Sequence, residues 1–215
     1  ELGTITSSKR IFKKEYTDVG IPFYRTKEIK EKANDKSVST ELFISEERYN
    51  EIKNKFGTPH RGDILLTAIG TIGEIFVVDG QEEFYFKDGN VLWLKEFDSV
   101  NSYFLRYVLM SFVDNLKRLS HGSAYNALPI EKLKNHIIYL PSTDVQERIV
   151  AILDEAFAGI SLALANAEKN LANARELFES YLNNVFTQKG QGWKEKRLED
   201  VCELISGQHI DAKDY

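Results

Sequence analysis

From Ser142 to its last residue the chain contains no proline, and up to Gly190 a single glycine, Gly159. Apolar or small residues recur along that stretch every three or four positions: Ile149, Leu153, Ala156, Ile160, Ala163, Ala167, Leu171, Ala174, Phe178, Tyr181 and Val185. Ser142-Thr143-Asp144-Val145-Gln146-Glu147 supplies a start signal, with Thr143 or Asp144 able to cap and Gln146 or Glu147 three residues on. About forty residues at ~1.5 Å each make a rod of roughly 60 Å. A compact domain of ordinary size cannot bury the whole stripe of such a rod. The pattern therefore predicts a coiled-coil partner, from the same chain, a second copy or another protein. A helix lying across its own domain is the competing reading, and it fits the length less well.

The remaining residues must hold the core. With 215 residues, 42% of them hydrophobic and 28% charged, the chain has the make-up of one globular domain carrying a helical appendage. No run is expected to approach the ~18 apolar residues of a membrane span. Glu1-Leu2-Gly3-Thr4 has no signal-peptide pattern, and the missing initial Met predicts a trimmed chain or a fragment. The single cysteine, Cys202, excludes an internal disulfide framework and a cysteine zinc site. These features predict a cytoplasmic protein with no membrane partner.

Charge is uneven. Residues 1–140 carry 20 basic and 20 acidic side chains, while residues 141–215 carry 8 and 13, which accounts for the net charge of −5. Neither part is the basic body of a strong nonspecific nucleic-acid binder. The basic residues of the first 36 positions, Lys9, Arg10, Lys13, Lys14, Arg25, Lys27, Lys30, Lys32 and Lys36 against six acids, could still form a local basic face.

Within residues 1–141 the sequence reads as mixed α and β. Gly20 leads into an apolar strand ending at Arg25. Ser45 caps a helix to Phe56 that Gly57 stops. Ile64–Ile69, Glu74–Val78, Phe84–Phe86 and Val91–Leu94 are short strand candidates separated by Gly62-Asp63, Gly70-Thr71-Ile72-Gly73, Asp79-Gly80 and Asp88-Gly89 turns. Close spacing with glycine turns predicts an antiparallel or barrel-like sheet. Helical periodicity returns from Ser102 through Tyr103, Tyr107, Met110, Val113, Leu116 and Leu119. Pro129 opens a short helix over Ile130–Leu133, and His136–Leu140 reads as a last strand. After Gly190-Gln191-Gly192 the run Leu198-Glu199-Asp200-Val201 echoes Leu2-Gly3-Thr4-Ile5, as though the start of the chain recurs at its end.

Catalytic signals are few. His60, His121, His136 and His209 have no metal-ligand spacing. There is no P-loop, no G-x-G-x-x-G and no G-x-S-x-G. Glu28-Ile29-Lys30 and Glu51-Ile52-Lys53 each read Glu-x-Lys, the pattern of some Mg²⁺-dependent nucleases, with Asp18 or Asp35 as the upstream acid. Neither follows a convincing strand. The stronger signal is for binding: Tyr24-Arg25-Thr26-Lys27 and Ser123-Ala124-Tyr125-Asn126 mix base-reading and phosphate-reaching side chains in loops.

Taken together, Gly20-Ile-Pro-Phe-Tyr-Arg25, Gly62-Asp-Ile-Leu-Leu-Thr67 with Gly70-Thr-Ile-Gly73, Gly122-Ser-Ala-Tyr-Asn-Ala-Leu128, Leu140-Pro141 before Val145-Gln-Glu-Arg-Ile-Val150, and Trp193 to Gly207 give the chain its family resemblance. It resembles the specificity subunits of Type I restriction-modification enzymes over nearly its whole length. The resemblance implies a target recognition domain of α/β (α+β) class over 1–141, with a twisted, partly barrel-like sheet and flanking helices. It implies a long conserved-region helix over 142–188 for dimerisation or spacing, and a linker with the start of a second recognition-like repeat over 189–215. A complete subunit has two such domains and two such helices, so the chain is expected to be a fragment or a half-subunit.

The resemblance also implies a non-catalytic reader of one half of a bipartite site in double-stranded DNA. S-adenosylmethionine would belong to the methyltransferase (modification) subunits, and ATP and Mg²⁺ to the restriction subunit that translocates and cuts. None would be bound by this chain. A homodimer through antiparallel long helices would restore the two-domain arrangement. The expected DNA contacts are Arg25, Lys27, Thr67, Thr71, Ser123, Tyr125 and Asn126, with Lys9, Arg10, Lys13 and Lys14 on phosphates. The expected helix interface is Ile149, Leu153, Ile160, Ala167, Leu171, Ala174 and Phe178. Two other classes compete: a protein-interaction module in which the helix is the functional part, and a stand-alone Mg²⁺-dependent nuclease.

Overall fold

Ile64-Leu65-Leu66-Thr67 is buried at every position, which is why it is a continuous apolar run and not an alternating one. This strand lies inside a four-stranded sheet. A computed structural model describes residues 3–119, 128 and 130–203. In chain order its elements are β1 (Thr4–Thr6), β2 (Tyr16–Thr17), β3 (Ile21–Tyr24), α1 (Thr26–Ala33), β4 (Phe43–Ile44), α2 (Glu46–Phe56), β5 (Ile64–Thr67), β6 (Ile75–Val77), β7 (Tyr85–Phe86), β8 (Val91–Lys95), α3 (Ser102–Leu119), α4 (Ile130–Lys134) and α5 (Thr143–Thr187).

The strands form two sheets, ordered β1-β8-β5-β6 and β2-β4-β3-β7. The first is antiparallel throughout, with Ile64 opposite Val77 and Leu94, and Thr6 opposite Trp93. In the second, β3 and β7 run parallel. Side chains of the first sheet alternate between two cores, as the two-residue period of a strand requires. Ile64, Leu66, Ile75, Val77, Leu92 and Leu94 pack with Leu105, Leu109, Phe112 and Val113 of α3. Leu65, Phe76, Val91 and Trp93 pack with Tyr24, Phe84, Phe86 and Ile29 of α1. A third cluster joins Phe23, Ile44 and Tyr85 to Tyr49 and Ile52 of α2. The mixed α/β class read from the sequence is the class observed.

Local chemistry explains the boundaries. Ser45 Oγ accepts from the Arg48 N–H at 3.2 Å at the start of α2, and Gly57 ends it with φ of 79°. At Gly20, with φ of 137°, a Cβ would stand 2.4 Å from the Ile44 carbonyl oxygen, so only glycine fits beside β4. α1 was not foreseen. Glu28 caps it from inside, accepting from the Arg25 N–H at 2.8 Å.

The expected last strand is absent. Residues 136–140 pair with no strand among the described residues, and Ile137 and Tyr139 are 81% and 90% exposed. Ile138 turns onto the α3 core, and the His136 ring lies 4.2 Å from that of Phe112. The segment alternates like a strand but has no neighbour to bond.

Glu1–Phe157 form one compact unit and Ala158–Tyr215 a second. In the first, α5 begins at Thr143, and Ser142 accepts from the Val145 and Gln146 N–H groups. In the second, the helix continues to Thr187, and the ring of Trp193 meets Phe186 edge-on at 6.3 Å. Leu198–Asp200 is a 3-10 turn. The run that echoes β1 therefore differs from it locally. Thr4–Thr6 is a strand because β8 pairs with it, whereas Leu198 and Val201 are 69% and 59% exposed.

One expectation about α5 is corrected. Within Thr143–Thr187 an 18-residue window reaches a mean hydropathy of 1.6 with at most two charged residues, so this helix is long and apolar enough, by length and composition, to cross a membrane.

Candidate nucleic-acid interface

The basic residues of the first third fall into two groups. Lys9, Lys13 and Lys14 are exposed and make no ion pair among the described residues. Lys13 and Lys14 sit on a one-turn 3-10 helix, Lys13–Glu15. Lys9 is held by its backbone N–H, which donates to the Tyr85 hydroxyl at 2.6 Å, while its ammonium lies 5.1 Å from the centre of the Phe56 ring. Beside it, Thr6, Ser7, Ser8 and Lys95 help line an open concavity of about 310 Å³. Ser8 Oγ is buried there without a hydrogen-bond partner among the described residues. Arg10 donates through Nε to Asp88 at 2.8 Å and is otherwise two-thirds exposed.

Arg25 and Lys27 belong to the second group. Arg25 Nη2 donates to Glu28 at 2.6 Å and to Glu41 at 2.8 Å. Lys27 reaches the other Glu41 oxygen at 2.9 Å. The hydrogen bonds it donates to Glu28 and then to Glu41 hold the pKa of the Arg25 guanidinium above its usual value. Burial pushes the Glu28 carboxyl up, but Arg25, bonding through side chain and backbone, outweighs it and holds the group below the ordinary carboxylate value. Glu28 is 1% exposed, so Arg25 neutralises a buried charge at the start of α1. A base could claim this guanidinium only through the donors those carboxylates leave.

Thr67 leaves the expected contact set. It is fully buried. Its hydroxyl donates to the Thr71 carbonyl and accepts from the Glu74 N–H at 3.0 Å. It closes the Gly70–Gly73 turn from inside, while Thr71 stands exposed at the tip. The Leu128 N–H donates to the Ala68 carbonyl at 2.7 Å, which pins the chain two residues after Asn126 beside that turn. Ser123, Tyr125 and Asn126 lie outside the described residues.

The two Glu-x-Lys pairs are in helices α1 and α2, where positions two apart do not face each other. Glu28 is bound to Arg25, Lys30 lies 3.6 Å from Glu74, Glu51 pairs with Arg48, and Lys53 with Glu83. Neither pair can present a carboxylate and an ammonium to one phosphate.

On α5, Ile149 and Leu153 are half-buried within the first unit. In the second, Ile160, Ala167, Leu171, Ala174 and Phe178 are exposed. The sequence reading followed a stripe through Ala156 and Ala163 and so missed Phe157 and Leu164. Phe157, Leu164, Leu171, Phe178 and Val185 recur every seven residues, as do Leu153, Ile160, Ala167, Ala174 and Tyr181. The large members from Phe157 to Val185 are 42% to 71% exposed. Two rows of period seven are the sequence pattern that coiled-coil seams use.

Sequence reasoning also missed Gln146. It was read as a possible capping residue, but its side chain is fully buried. It donates to the carbonyls of Ser99 at 3.0 Å and Pro141 at 2.9 Å, and accepts from the Asn101 N–H at 2.8 Å. Its place in the helix's first turn and in the Val145-Gln-Glu-Arg-Ile-Val150 motif marked the position in the sequence but not this bonding.

The described residues thus combine a sheet unit carrying exposed basic side chains with a long helix whose apolar rows are exposed. The family of the Type I restriction modification DNA specificity domain matches residues 1–172, and the chain belongs to that family. It is 32% identical over 190 residues to a type I restriction enzyme specificity subunit of Haemophilus influenzae, covering 84% of this chain and 46% of that protein. It is 27% identical over 164 residues to the type I restriction enzyme EcoBI specificity subunit of Escherichia coli, covering 75% of this chain and 34% of that one. The chain thus spans less than half the length of these relatives. Its fold is similar to a chain solved in a study of complex assembly and conformational transition of the type I R-M system, with a TM-score of 0.67 and 20% identity over 86% of this chain and 43% of that one. The HsdS subunit from Thermoanaerobacter tengcongensis matches with a TM-score of 0.60 and 21% identity over 87% of this chain and 43% of that one.

Proposed function

We propose that this chain is a sequence-reading, non-catalytic specificity component of a Type I restriction-modification system in the cytoplasm. The family match across residues 1–172 carries this reading. The recognition unit reads one half of a bipartite site in double-stranded DNA. Lys9, Lys13 and Lys14, with Arg10, contact phosphates, and Thr71, Lys27, Ser123, Tyr125 and Asn126 contact the groove. Methyltransferase subunits, and a restriction subunit joined to them, dock on the scaffold. They bring S-adenosylmethionine, ATP and Mg²⁺, none of which this chain holds itself.

The helix pairs with that of a second copy. The seven-residue repeat favours a helix-pairing seam over a membrane span for the same apolar residues. An antiparallel pair centred on Lys169 sets Leu164 against Ala174, Leu171 against Ala167 and Phe178 against Ile160 of the second copy. Large meets small at the middle layers, which lets the helices approach closely. A parallel pair would instead face Ala167 and Ala174 with themselves and leave gaps. The symmetric dimer reads an interrupted palindrome, since protein symmetry is mirrored in the site.

The test is selection from random DNA duplexes, with the chain bound to its modification subunit at near-physiological salt, where phosphate contacts alone bind weakly. Two copies of one short motif at fixed spacing are the expected product. A folded complex that enriches no sequence would reject DNA reading and leave the helix as a protein-interaction element.

A further inference from the structure

Beside α3 the recognition unit leaves an open, mainly apolar concavity of about 530 Å³. Leu94 of β8, Leu105 and Leu109 of α3, and Leu133 of α4 line it. β1 borders it through Thr4 and Ile5, and the segment 136–140 borders it through His136 and Ile138. Both borders carry backbone without a neighbour. β1 is an edge strand that bonds to β8 alone, so alternate N–H and C=O groups along it face away from the sheet. In the segment 136–140 the His136 N–H donates to the Leu133 carbonyl. The backbone groups of Ile137, Ile138, Tyr139 and Leu140 bond to nothing among the described residues. Ile137 and Tyr139 are exposed while Ile138 packs inward, the alternation of a strand with one face on a core. Lys134 also lines the concavity, exposed and in no ion pair among the described residues, and no acidic side chain lines it.

We propose that this concavity docks an extended segment of the modification subunit, which adds as a strand to the segment 136–140 and to the free edge of β1. The inference rests on the docking of that subunit proposed above. The two unbonded rows select the shape of the occupant. An extended chain offers N–H and C=O groups on both of its sides. A helix bonds its own groups internally and would leave both rows empty. Alternate apolar side chains of the entering strand fill the concavity, and an acidic one meets Lys134. A strand of a second copy does not suit the place. The entering segment is bordered on two sides and must be free on both, whereas every strand of the copy already bonds to a neighbour. Exposed edges are ordinarily covered or blunted by charge. The run His136-Ile137-Ile138-Tyr139-Leu140 has no Lys, Arg, Asp or Glu, so cover by a partner is the remaining device.

The experiment uses the full chain and its modification subunit, and reads both affinity and backbone amide exchange with deuterium. In the complex the amides of residues 137–140 should exchange more slowly than in the chain alone. Tyr139→Pro and Leu140→Pro each delete one N–H. Adjacent N–H groups of a strand point to opposite sides, so one of the two variants loses a donor to the occupant. Neither N–H is bonded within the described residues, so both variants should melt like the unaltered protein. One of them should bind the modification subunit about threefold to tenfold more weakly, with its Ala counterpart, which keeps the N–H, closer to the unaltered chain. Lys134→Glu should weaken binding as well. Unchanged exchange of these amides in the complex overturns the proposal, and that result requires no variant. So do two folded proline variants that bind as tightly as the unaltered chain. Protection that appears in the chain alone as its concentration rises would give the groove to a second copy and overturn the assignment. If the unaltered chain does not bind the modification subunit at all, the docking reading itself fails, and that control arm separates the two failures.

Discussion

The indole N–H of Trp93 donates to Asp63 Oδ2 at 2.8 Å inside the recognition unit. The same oxygen accepts from the His60 N–H at 2.9 Å. Asp63 thus ties the Gly62 turn to β8 through the core. Asp63→Ala would strand a buried indole donor and a backbone donor, at a cost of about 1–3 kcal/mol. Urea denaturation of the variant would measure it, and an unchanged midpoint would show that the bond contributes nothing net.

Glu28 gives the fold a pH dependence. Its folded-state pKa is held below the usual 4.5. The stabilisation is therefore fully present above that value and fades as pH falls through the folded value. Glu28→Gln should destabilise the unit by about 1–3 kcal/mol near pH 7, and the gap from the unaltered protein should narrow toward pH 3. Melting at both pH values checks this. A constant gap would assign the loss to packing.

Arg25 can be tested the same way. Because it neutralises Glu28, Arg25→Ala should lower stability as well as binding, whereas Asn126→Ala should relax one base position at about 1–3 kcal/mol and leave melting unchanged. An Arg25 variant of normal stability that loses one base preference would make it a reader after all.

Lys13 and Lys14, exposed and unpaired among the described residues, should act on every DNA sequence alike. Replacing each by Ala should weaken binding uniformly and flatten the salt slope by about one. Titrations at several salt concentrations with cognate and unrelated duplexes would show it. A loss confined to cognate DNA would contradict a phosphate role.

The seam gives two linked expectations. Leu171→Glu should yield monomers in light scattering. In a Cys202→Ser background, an Ala174→Cys chain should not cross-link to its own copy, since about 15 Å of helix separates the two positions in the antiparallel pair. The Leu164→Cys, Ala174→Cys double variant should cross-link. Cross-linking by the single variant would turn the pair parallel.

Elements governed by neighbours in the chain were legible in the sequence. Ser45 and Gly57 marked both ends of α2, the glycine turns marked β5 to β8, and the absence of proline marked α5, because capping, turn geometry and periodicity act within a few residues. Long-range partners were not legible. The segment 136–140 has the alternation of a strand and no strand beside it, and Arg25 looked free until Glu28 and Glu41 were brought to it.

The sequence by itself determined that a mixed sheet domain precedes a long helix with an apolar stripe, and which family the motif order resembles. Tertiary structure alone decided that Thr67 closes a turn from the core, that Arg25 is held by two carboxylates, and that Gln146 joins the segment 99–101 to the entry of α5. The physical reason is that a polar side chain's role depends on whether it is buried and on which partners folding brings within about 3 Å. Those partners lie up to 47 residues away along the chain.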